Sequence, residues 1–302
     1  MRRIAVAGVG NREWIREVVI EAAGEVAPIE SATGLIYADP ADARTLADLL
    51  GANPGIEWVQ LPFAGIEPFA HLINDGRTWT CAKGIYAEPV AEHALALALA
   101  GLRNLNGYAR AVKWGRGIGR NLLGANVTIL GGGGITRSLV RLLGPFGCDI
   151  TVVRNSVEEM QGVSTVLGAD RLHDALPGAD VVFLALPLTP ETDGIIGAEE
   201  LVLMENHAWI VNVARGRHIV TDDLVIVLQR GEIGGAALDV TEPEPLPPEH
   251  PLWSLPNCII TPHTANTPEM AVPLLTARIA ENAQRYVAGE PLVGLVDPRL
   301  GY

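Results

Sequence analysis

The sequence predicts an α/β protein built from two doubly wound parallel sheets, and three patterns support that prediction. Short apolar segments alternate with helix-like segments along the whole chain. Beyond residue 126 the strand-like segments are unbroken apolar runs, which are typical of parallel strands covered on both faces. Between the runs at 127–130 and 150–153, four consecutive glycines lead into a segment with helical periodicity. That arrangement is one strand, a tight turn, a helix and a second strand.

The first third of the chain alternates strands and helices. The opening segment IAVAG is predicted to be a strand. The alternative is a signal peptide, but this apolar run is too short for one because polar residues follow at 11–13. Further helices are predicted over 13–23 and 41–50, and further strands over 35–38, 58–61 and 78–82. A long alanine- and leucine-rich helix is expected over 87–112, with Pro89 in its first turn and small residues that permit close packing.

The rest of the chain continues the same pattern after a glycine-rich connector at 114–126. Strands are predicted over 180–186, 208–213, 235–238 and 258–260, and helices over 198–204, 221–229 and 267–288. The long last helix can return to the first domain, so we expect two domains with the C-terminal segment completing the first.

Composition excludes several classes of protein. The 302 residues carry a formal net charge of −13, and the only lysines are Lys83 and Lys113, so binding to nucleic acid or to an anionic membrane is not expected. Cys81, Cys148 and Cys258 are isolated, which indicates neither a zinc site nor a disulfide framework. No apolar segment reaches bilayer-spanning length without polar interruption, and we expect a cytoplasmic protein.

The four-glycine turn predicts dinucleotide binding. Gly131 and Gly133 allow the backbone to turn sharply and to approach a pyrophosphate, which the N-terminus of a helix starting near Gly134 and Ile135 would attract. A kinase-type phosphate loop is disfavoured, because no Gly-Lys-Ser/Thr follows. Thr136 replaces the third glycine of the usual pattern, so helix and strand should lie slightly farther apart or face a smaller partner there.

Arg154 predicts which dinucleotide is preferred. It ends the second strand about 20 residues after Gly131, where such folds place the residue that contacts the adenosine ribose. An NAD site usually has an acid there, whereas a guanidinium binds the 2′-phosphate of NADP, and Asn155 and Ser156 can also donate to phosphate oxygens. We predict NADPH as the preferred cofactor. NAD is the alternative if Arg154 is solvated and stacks on the adenine, which the glutamates at 158–159 favour.

Arg215, Glu244 and His263 follow three predicted strands of the second domain. Alone, each has an ordinary interpretation as a surface arginine, a loop acid or a helix-capping histidine. Together they match a site for hydride transfer to a 2-oxo acid, because a guanidinium can hold the substrate carboxylate and an imidazolium can donate a proton to the carbonyl oxygen. A carboxylate beside the histidine stabilises its protonated form and fixes its tautomer.

Five stretches carry a family resemblance, in order: VAEHALALALAGLRNL at 90–105, LALPLTPET at 184–192, VNVARG at 211–216, ALDVTEPEPLP at 237–247 and TPH at 261–263. With them the sequence resembles the D-isomer-specific 2-hydroxyacid dehydrogenases over most of its length. Within that family, RGRHIVTDDL from Arg215 and VGLVDPRLGY from Val293 are most similar to the glyoxylate/hydroxypyruvate reductase A type.

The resemblance implies that Arg215, Glu244 and His263 are catalytic, with the second glutamate of EPEP chosen over Glu242. It also implies that backbone amides of Phe63, Ala64 and Gly65 bind the substrate carboxylate together with Arg215. The residues expected to bind the cofactor are Gly131, Gly133, Gly134, Ile135, Thr136, Arg154, Asn155, Ser156, Leu186, Pro187, Thr192, Val213, Ala214 and Asp239, the last near the nicotinamide carboxamide.

These expectations combine into one functional hypothesis. Residues 1–98, completed by 270–302, form a substrate-binding domain, residues 99–269 form a Rossmann-like dinucleotide-binding domain, and the active site lies in the cleft between them. The reaction is reduction of a small 2-oxo acid such as glyoxylate or hydroxypyruvate to a D-2-hydroxy acid. The alternatives are a larger 2-oxo acid or a dinucleotide-sensing, corepressor-like protein. A homodimer through the helix at 87–112 is expected.

Overall fold

The computed structural model describes residues 2–10 and 12–297. Met1, Asn11 and residues 298–302 lie outside that description, and with them the ends of the VGLVDPRLGY stretch and of the predicted 270–302 segment. Among the described residues, no helix is long and apolar enough to cross a membrane. The chain forms two compact units: the first unit is Met1–Tyr86 with Thr267–Tyr302, and the second unit is Ala87–Asn266.

Parallel strands and helices alternate in both units. The strands are β1 (Ile4–Ala7), β2 (Gly34–Tyr37), β3 (Trp58–Gln60), β4 (Thr78–Thr80), β5 (Asn126–Leu130), β6 (Asp149–Val153), β7 (Thr165–Leu167), β8 (Val181–Leu184), β9 (Trp209–Asn212), β10 (Gly235–Leu238) and β11 (Cys258–Ile260). The helices are α1 (Trp14–Ala23), α2 (Ala43–Ala52), α3 (Ala87–Leu102), α4 (Leu105–Ala109), α5 (Gly134–Leu143), α6 (Leu172–Ala175), α7 (Ala198–Leu203), α8 (Thr221–Arg230) and α9 (Pro268–Ala288).

The first unit holds a sheet whose strands lie in chain order, β1-β2-β3-β4. Leu35 belongs to a core shared with α2, while its neighbour Ile36 belongs to a core shared with α1 and α9, so helices cover both faces. On the far side of β1, the Ala27 amide donates to the Ile4 carbonyl oxygen at 2.8 Å. A doubly wound sheet would have a further strand on this side of β1. No strand of the described residues lies there.

The second unit holds the sheet β11-β10-β9-β8-β5-β6-β7, all parallel. The strand order reverses between β5 and β8, which makes this sheet doubly wound. Ile129 packs in a core with α3 and α5, and its neighbour Leu130 packs in a core with α7 and α8. The predicted α/β class with parallel sheets is therefore confirmed.

The long helix predicted over 87–112 is interrupted. It ends as α3 and resumes as α4, because Asn104 adopts a left-handed backbone conformation with φ of 50°. A Cβ atom at Gly101 would lie 2.3 Å from the Trp209 ring, so α3 packs directly on β9. The predicted domain division after residue 98 falls inside α3, whereas the compact units part before it. The short elements β7 and α6 were not predicted.

Candidate active site

The glycine turn follows β5 at the point where the strand order reverses. Gly131 has φ of +109°, and a Cβ atom there would lie 2.2 Å from the carbonyl oxygen of Ala185. Its amide donates to the Val153 carbonyl oxygen at 2.8 Å. Only glycine satisfies both the backbone angle and the close approach. Thr136, at the position of the usual third glycine, is fully buried and donates its hydroxyl to the Gly131 carbonyl oxygen at 2.8 Å.

The helix behind this turn begins without a capping side chain. Gly133 is the N-cap of α5, and no acidic residue lies in the first turn. A Cβ atom at Gly133 would meet nothing within 4 Å. The first amides of the helix, from Gly134 and Ile135 onward, therefore present donors and a positive dipole end that no described side chain neutralises. Such an end binds a phosphate without further groups.

The side chain of Arg154 folds over the glycine turn. A Cβ atom at Gly132 would lie 2.8 Å from the Cδ and Nε atoms of Arg154. Asn155 and Ser156 follow it and are exposed. Within residues 2–10 and 12–297, no salt bridge involves Arg154 or the glutamates at 158–159. A guanidinium thus lies beside the turn with no carboxylate partner in the described structure.

The loop after β8 carries the next predicted cofactor residues. Leu186 lies beside the glycine turn, because a Cβ atom at Gly131 would approach its Cα to 3.0 Å. The carbonyl oxygen of Pro187 accepts the Thr192 hydroxyl at 2.7 Å. The same carbonyl faces the Nε2 atom of His218 at 3.2 Å. Two side chains therefore hold this loop in place.

The loop after β9 is held by a buried asparagine that the sequence did not single out. The Asn212 side chain accepts the Ala214 amide at 3.0 Å and donates to the Arg215 carbonyl oxygen at 2.8 Å. Val213 and Ala214 are buried, and the Arg215 guanidinium donates to the Ala214 carbonyl oxygen at 2.7 Å. The polar residue inside the apolar run IVNVA was the available signal.

His218 joins the loops after β8 and β9. Its Nδ1 atom accepts the Arg215 amide at 3.2 Å, so the proton is on Nε2, which donates to the Pro187 carbonyl oxygen. The side chain is fully buried, and burial lowers its pKa. A neutral imidazole of fixed tautomer therefore connects a catalytic candidate with a cofactor candidate. The sequence showed His218 within a family motif but gave it no role.

The loop after β9 packs against the loop after β10 at Gly216. A Cβ atom at Gly216 would lie 2.0 Å from the carbonyl oxygen of Thr241. The Thr241 hydroxyl donates to the Pro243 carbonyl oxygen at 2.8 Å, and both Glu-Pro bonds of the EPEP segment are cis. The turn brings the second of the two glutamates, Glu244, towards the loop after β11.

Glu244 and His263 form the pair expected from the sequence. The Nδ1 atom of His263 lies 2.7 Å from the Oε1 atom of Glu244, and no such contact involves Glu242 in the described structure. Both side chains remain accessible, at 53% and 42% of their surface. His263 has φ of 53°, a left-handed backbone conformation that is uncommon for residues other than glycine. The contact leaves Nε2 as the ring nitrogen that can face a substrate.

Asp239 lies beneath the loop that carries His263. Its carboxylate accepts the Thr261 hydroxyl at 2.6 Å and the amides of Thr264 and Ala265 at 2.9 and 3.0 Å. The Nε2 atom of His93, on α3, approaches it to 3.3 Å. Burial opposes ionisation of Asp239, but these hydrogen bonds outweigh it and lower its pKa. Asp239 is therefore an ionised anchor for residues 261–265.

His93 was missed as part of this network, although a histidine within the apolar helix segment EHALALAL was a visible signal. Its Nε2 atom also lies 3.0 Å from the Thr261 hydroxyl oxygen. The contact closes the network on the side of α3. It links the helix to the loop that presents His263.

The predicted substrate loop lies in the first unit, directly after β3. The Phe63 carbonyl oxygen accepts the Ala82 amide at 3.0 Å, and the Cys81 thiol approaches the Ala64 carbonyl oxygen at 3.7 Å. The Tyr86 hydroxyl donates to the Pro62 carbonyl oxygen at 3.1 Å. These contacts use carbonyl groups of the loop, and no hydrogen bond within the described residues uses the amides of Phe63, Ala64 or Gly65.

The model of the D-isomer specific 2-hydroxyacid dehydrogenase NAD binding domain matches residues 95–265, the part of the chain that contains the glycine turn, Arg215, Glu244 and His263. The chain belongs to this family. The dehydrogenase family expected from the sequence is thereby confirmed, and with it the class of nicotinamide-dinucleotide enzymes acting on CH–OH groups.

Known proteins resemble the chain to different extents. An uncharacterized protein in the proB 3′ region of Corynebacterium melassecola is 40% identical, over 82% of this chain and 84% of its own length. Glyoxylate/hydroxypyruvate reductase A of Serratia proteamaculans is 36% identical over 58% of this chain, which spans only 56% of that enzyme. A D-isomer specific 2-hydroxyacid dehydrogenase from Xanthobacter autotrophicus Py2, solved with NADPH and MES, has a TM-score of 0.85 and 26% identity, covering 100% of this chain and 99% of its own.

Proposed function

We propose that this protein reduces small 2-oxo acids to D-2-hydroxy acids, with glyoxylate and hydroxypyruvate as the leading substrates. The observation that carries the proposal is the contact between His263 and Glu244, in which an accessible imidazole is held by a carboxylate through Nδ1. When bound, NADPH supplies the hydride. The Nε2 atom of His263 donates the proton to the carbonyl oxygen of the substrate.

Glu244 orients the proton donor in this proposal. Its hydrogen bond fixes the ring, because Nδ1 is held at 2.7 Å. The buried Asp239 carboxylate accepts the Thr261 hydroxyl and the Thr264 amide of the same loop, so the position of His263 depends on this carboxylate.

Substrate binding is assigned to Arg215 and to the amides of Phe63, Ala64 and Gly65. A planar guanidinium holds a carboxylate through two parallel hydrogen bonds. Accordingly, the first unit is proposed as the substrate-binding domain and the second unit as the dinucleotide-binding domain.

NADPH is proposed as the preferred cofactor. Arg154 lies against Gly132 without a carboxylate partner among the described residues, and Asn155 and Ser156 beside it are exposed donors. The uncapped start of α5 suits the pyrophosphate. The similar dehydrogenase of Xanthobacter was solved with NADPH, which agrees with this assignment.

The test is a panel of 2-oxo acids assayed with NADPH and with NADH by the loss of nicotinamide absorbance. We expect saturable oxidation with glyoxylate or hydroxypyruvate and a higher kcat/KM with NADPH. Saturable turnover of any 2-oxo acid at an ordinary enzyme rate would remove the corepressor-like alternative. Turnover of only larger 2-oxo acids would favour the alternative of a larger substrate, and a preference for NADH would remove the role of Arg154.

We also propose a cytoplasmic homodimer. The apolar face expected on the helix at 87–112 is largely buried within the second unit along α3, and a group of exposed apolar side chains lies after α3. They are Leu105, Tyr108, Val112, Trp114, Ile118 and Leu123. A run of such residues is typical of an interface. Light scattering should give twice the chain mass at micromolar concentration, and a monomer would contradict the proposal.

A further inference from the structure

Arg12 lies where strand ends of the first unit meet. It follows the turn after β1, and its amide donates to the Val9 carbonyl oxygen at 2.7 Å. Its Nη1 atom donates to the carbonyl oxygen of Ala38, just after β2, at 2.7 Å. Its Cζ atom lies over the ring of Phe63, just after β3, 5.2 Å from the ring centroid. Open parallel sheets bind ligands at this edge.

The guanidinium of Arg12 has no anionic partner in the described part of the chain. Four other arginines of the first unit pair with carboxylates: Arg3 with Glu25, Arg16 with Glu13, Arg77 with Asp75 and Arg285 with Glu281. The side chain of Asp39, in the loop after β2, instead accepts the amides of Ala41 and Asp42. Tyr86 adds no negative charge, because burial raises its pKa to about 12.

The surroundings of Arg12 favour an anionic ligand over a solvated arginine. The bond to Ala38 uses one of five N–H donors, and the aromatic face of Phe63 shields one side of the group from water. Phe63 is also the first residue of the loop proposed to bind the substrate carboxylate. A second anion on the same substrate would therefore find a fixed cation close to the first binding group.

We propose that Arg12 and Phe63 form a subsite for a second anionic group of the substrate, so that the protein favours 2-oxo acids that carry a further carboxylate or phosphate beyond C2. This inference rests on the proposed function and deepens it. Glyoxylate and hydroxypyruvate have no second charge, so they remain substrates under the proposed function but are reduced with the subsite empty. Two matched pairs of substrates decide whether the subsite binds a carboxylate or a phosphate.

The experiment compares kcat/KM for substrates that differ in the second charge. Oxaloacetate is paired with 2-oxobutyrate, and 3-phosphohydroxypyruvate with hydroxypyruvate. In the wild type, at least one charged member should exceed its partner by about tenfold or more, since hydrogen bonds to a charged group have that effect. Arg12→Gln should reduce this ratio about tenfold to a hundredfold, and Arg12→Lys should reduce it less because it keeps the charge.

Arg16→Gln is the matched control. Arg16 lies one helical turn further on and pairs with Glu13 at 3.1 Å, so its replacement should leave both ratios unchanged. A wild-type ratio at or below one for both pairs would overturn the subsite, as would a ratio that Arg12→Gln leaves intact. If Arg12→Gln does not fold, the wild-type ratios and Arg12→Lys still decide.

Failure of the proposed function gives a different result. If no 2-oxo acid is turned over, calorimetric titration with NADP present compares D-malate with D-2-hydroxybutyrate, which differ in the same carboxylate. Tighter binding of D-malate to the wild type than to Arg12→Gln would support the subsite without catalysis. Equal binding of both ligands to both proteins would overturn it.

Discussion

Around His263 and Arg215 the second unit holds its loops with buried polar side chains, whereas around Gly133 and Arg154 it leaves donors that the described protein does not use. Asn212, His218 and Asp239 bond to the backbone on the first side. On the second side α5 starts uncapped. Both regions lie at the carboxyl edge of one sheet.

The difference shows which geometry the protein fixes by itself. Proton transfer requires an imidazole placed to within a fraction of an ångström, and the folded chain can provide that before any ligand binds. Phosphate binding requires unpaired donors, which a capping side chain or a carboxylate partner would occupy. Substitutions on the first side should therefore change turnover, and substitutions on the second side should change the choice of cofactor.

The largest expected effect comes from the region around His263 and Arg215. His263→Gln removes the proton donor, and kcat should fall by about a hundredfold to ten-thousandfold. The dissociation constant for NADPH, measured by fluorescence titration, should change little. The matched control is His173→Gln, since His173 also lies 2.7 Å from a glutamate, Glu200, but in α6, away from the predicted site residues. Activity of His263→Gln at the level of this control would sink the assignment of His263.

The next largest effect is expected in the region around Gly133 and Arg154. Arg154→Asp should lower kcat/KM with NADPH about tenfold to a hundredfold and relatively favour NADH, because the guanidinium is replaced by a charge that repels the 2′-phosphate. Arg171→Asp makes the same change of charge at an exposed residue that pairs with Asp174, and it should keep the wild-type preference. If the ratio of kcat/KM with NADPH to kcat/KM with NADH is unchanged in Arg154→Asp, Arg154 does not bind the 2′-phosphate.

A smaller effect is expected at His218, which joins the loops after β8 and β9. His218→Leu removes the bonds to the Arg215 amide and the Pro187 carbonyl, and kcat/KM should fall about tenfold because two loops lose their common support. His207→Leu, which loses a contact with Asp180 before β8, should not show this loss. Equal activity of His218→Leu and wild type would mean that Asn212 and Thr192 hold the loops alone.

His218 also predicts a pH dependence of stability. Its pKa is lowered by burial, so below about pH 6.5 the unfolded chain binds a proton more readily than the folded chain does. Its contribution to the free energy of unfolding is complete above that pH and shrinks as the pH falls towards the folded pKa. The Tm of the wild type should therefore drop more between pH 7.5 and 5.5 than that of His218→Leu, and parallel curves would refute this.

Sequence patterns located most of the fold, because buried parallel strands must be apolar runs. The bounds predicted for β10 and β11 agree with the structure, and α9 begins one residue later than expected. The helix break at Asn104 was missed, since helical periodicity continues on both sides of it and the left-handed residue is visible only in the backbone. β7 was missed because it is an edge strand in which no residue is buried, so it lacks the apolar run of the central strands.

The site was predicted as residue types and not as a network. The contact between Glu244 and His263 followed from a motif, and the structure brings these two side chains together. The bonds from His93 and Asn212 could not be predicted in the same way, because each residue lies in an apolar segment whose partners are fixed only by tertiary packing. Roles for Asp239 and Arg154 in cofactor binding stay predictions.

The contact between Gly216 and Thr241 has a consequence for mutational tolerance. In a library that randomises every position, residue 216 should accept as few replacements as residue 263, although it has no side chain. The causes differ. A missing imidazole can be replaced in part by imidazole added to the solution, whose protonated form donates the proton, whereas a Cβ atom 2.0 Å from the Thr241 carbonyl oxygen displaces the chain itself. Chemical rescue should therefore restore activity at 263 and fail at 216.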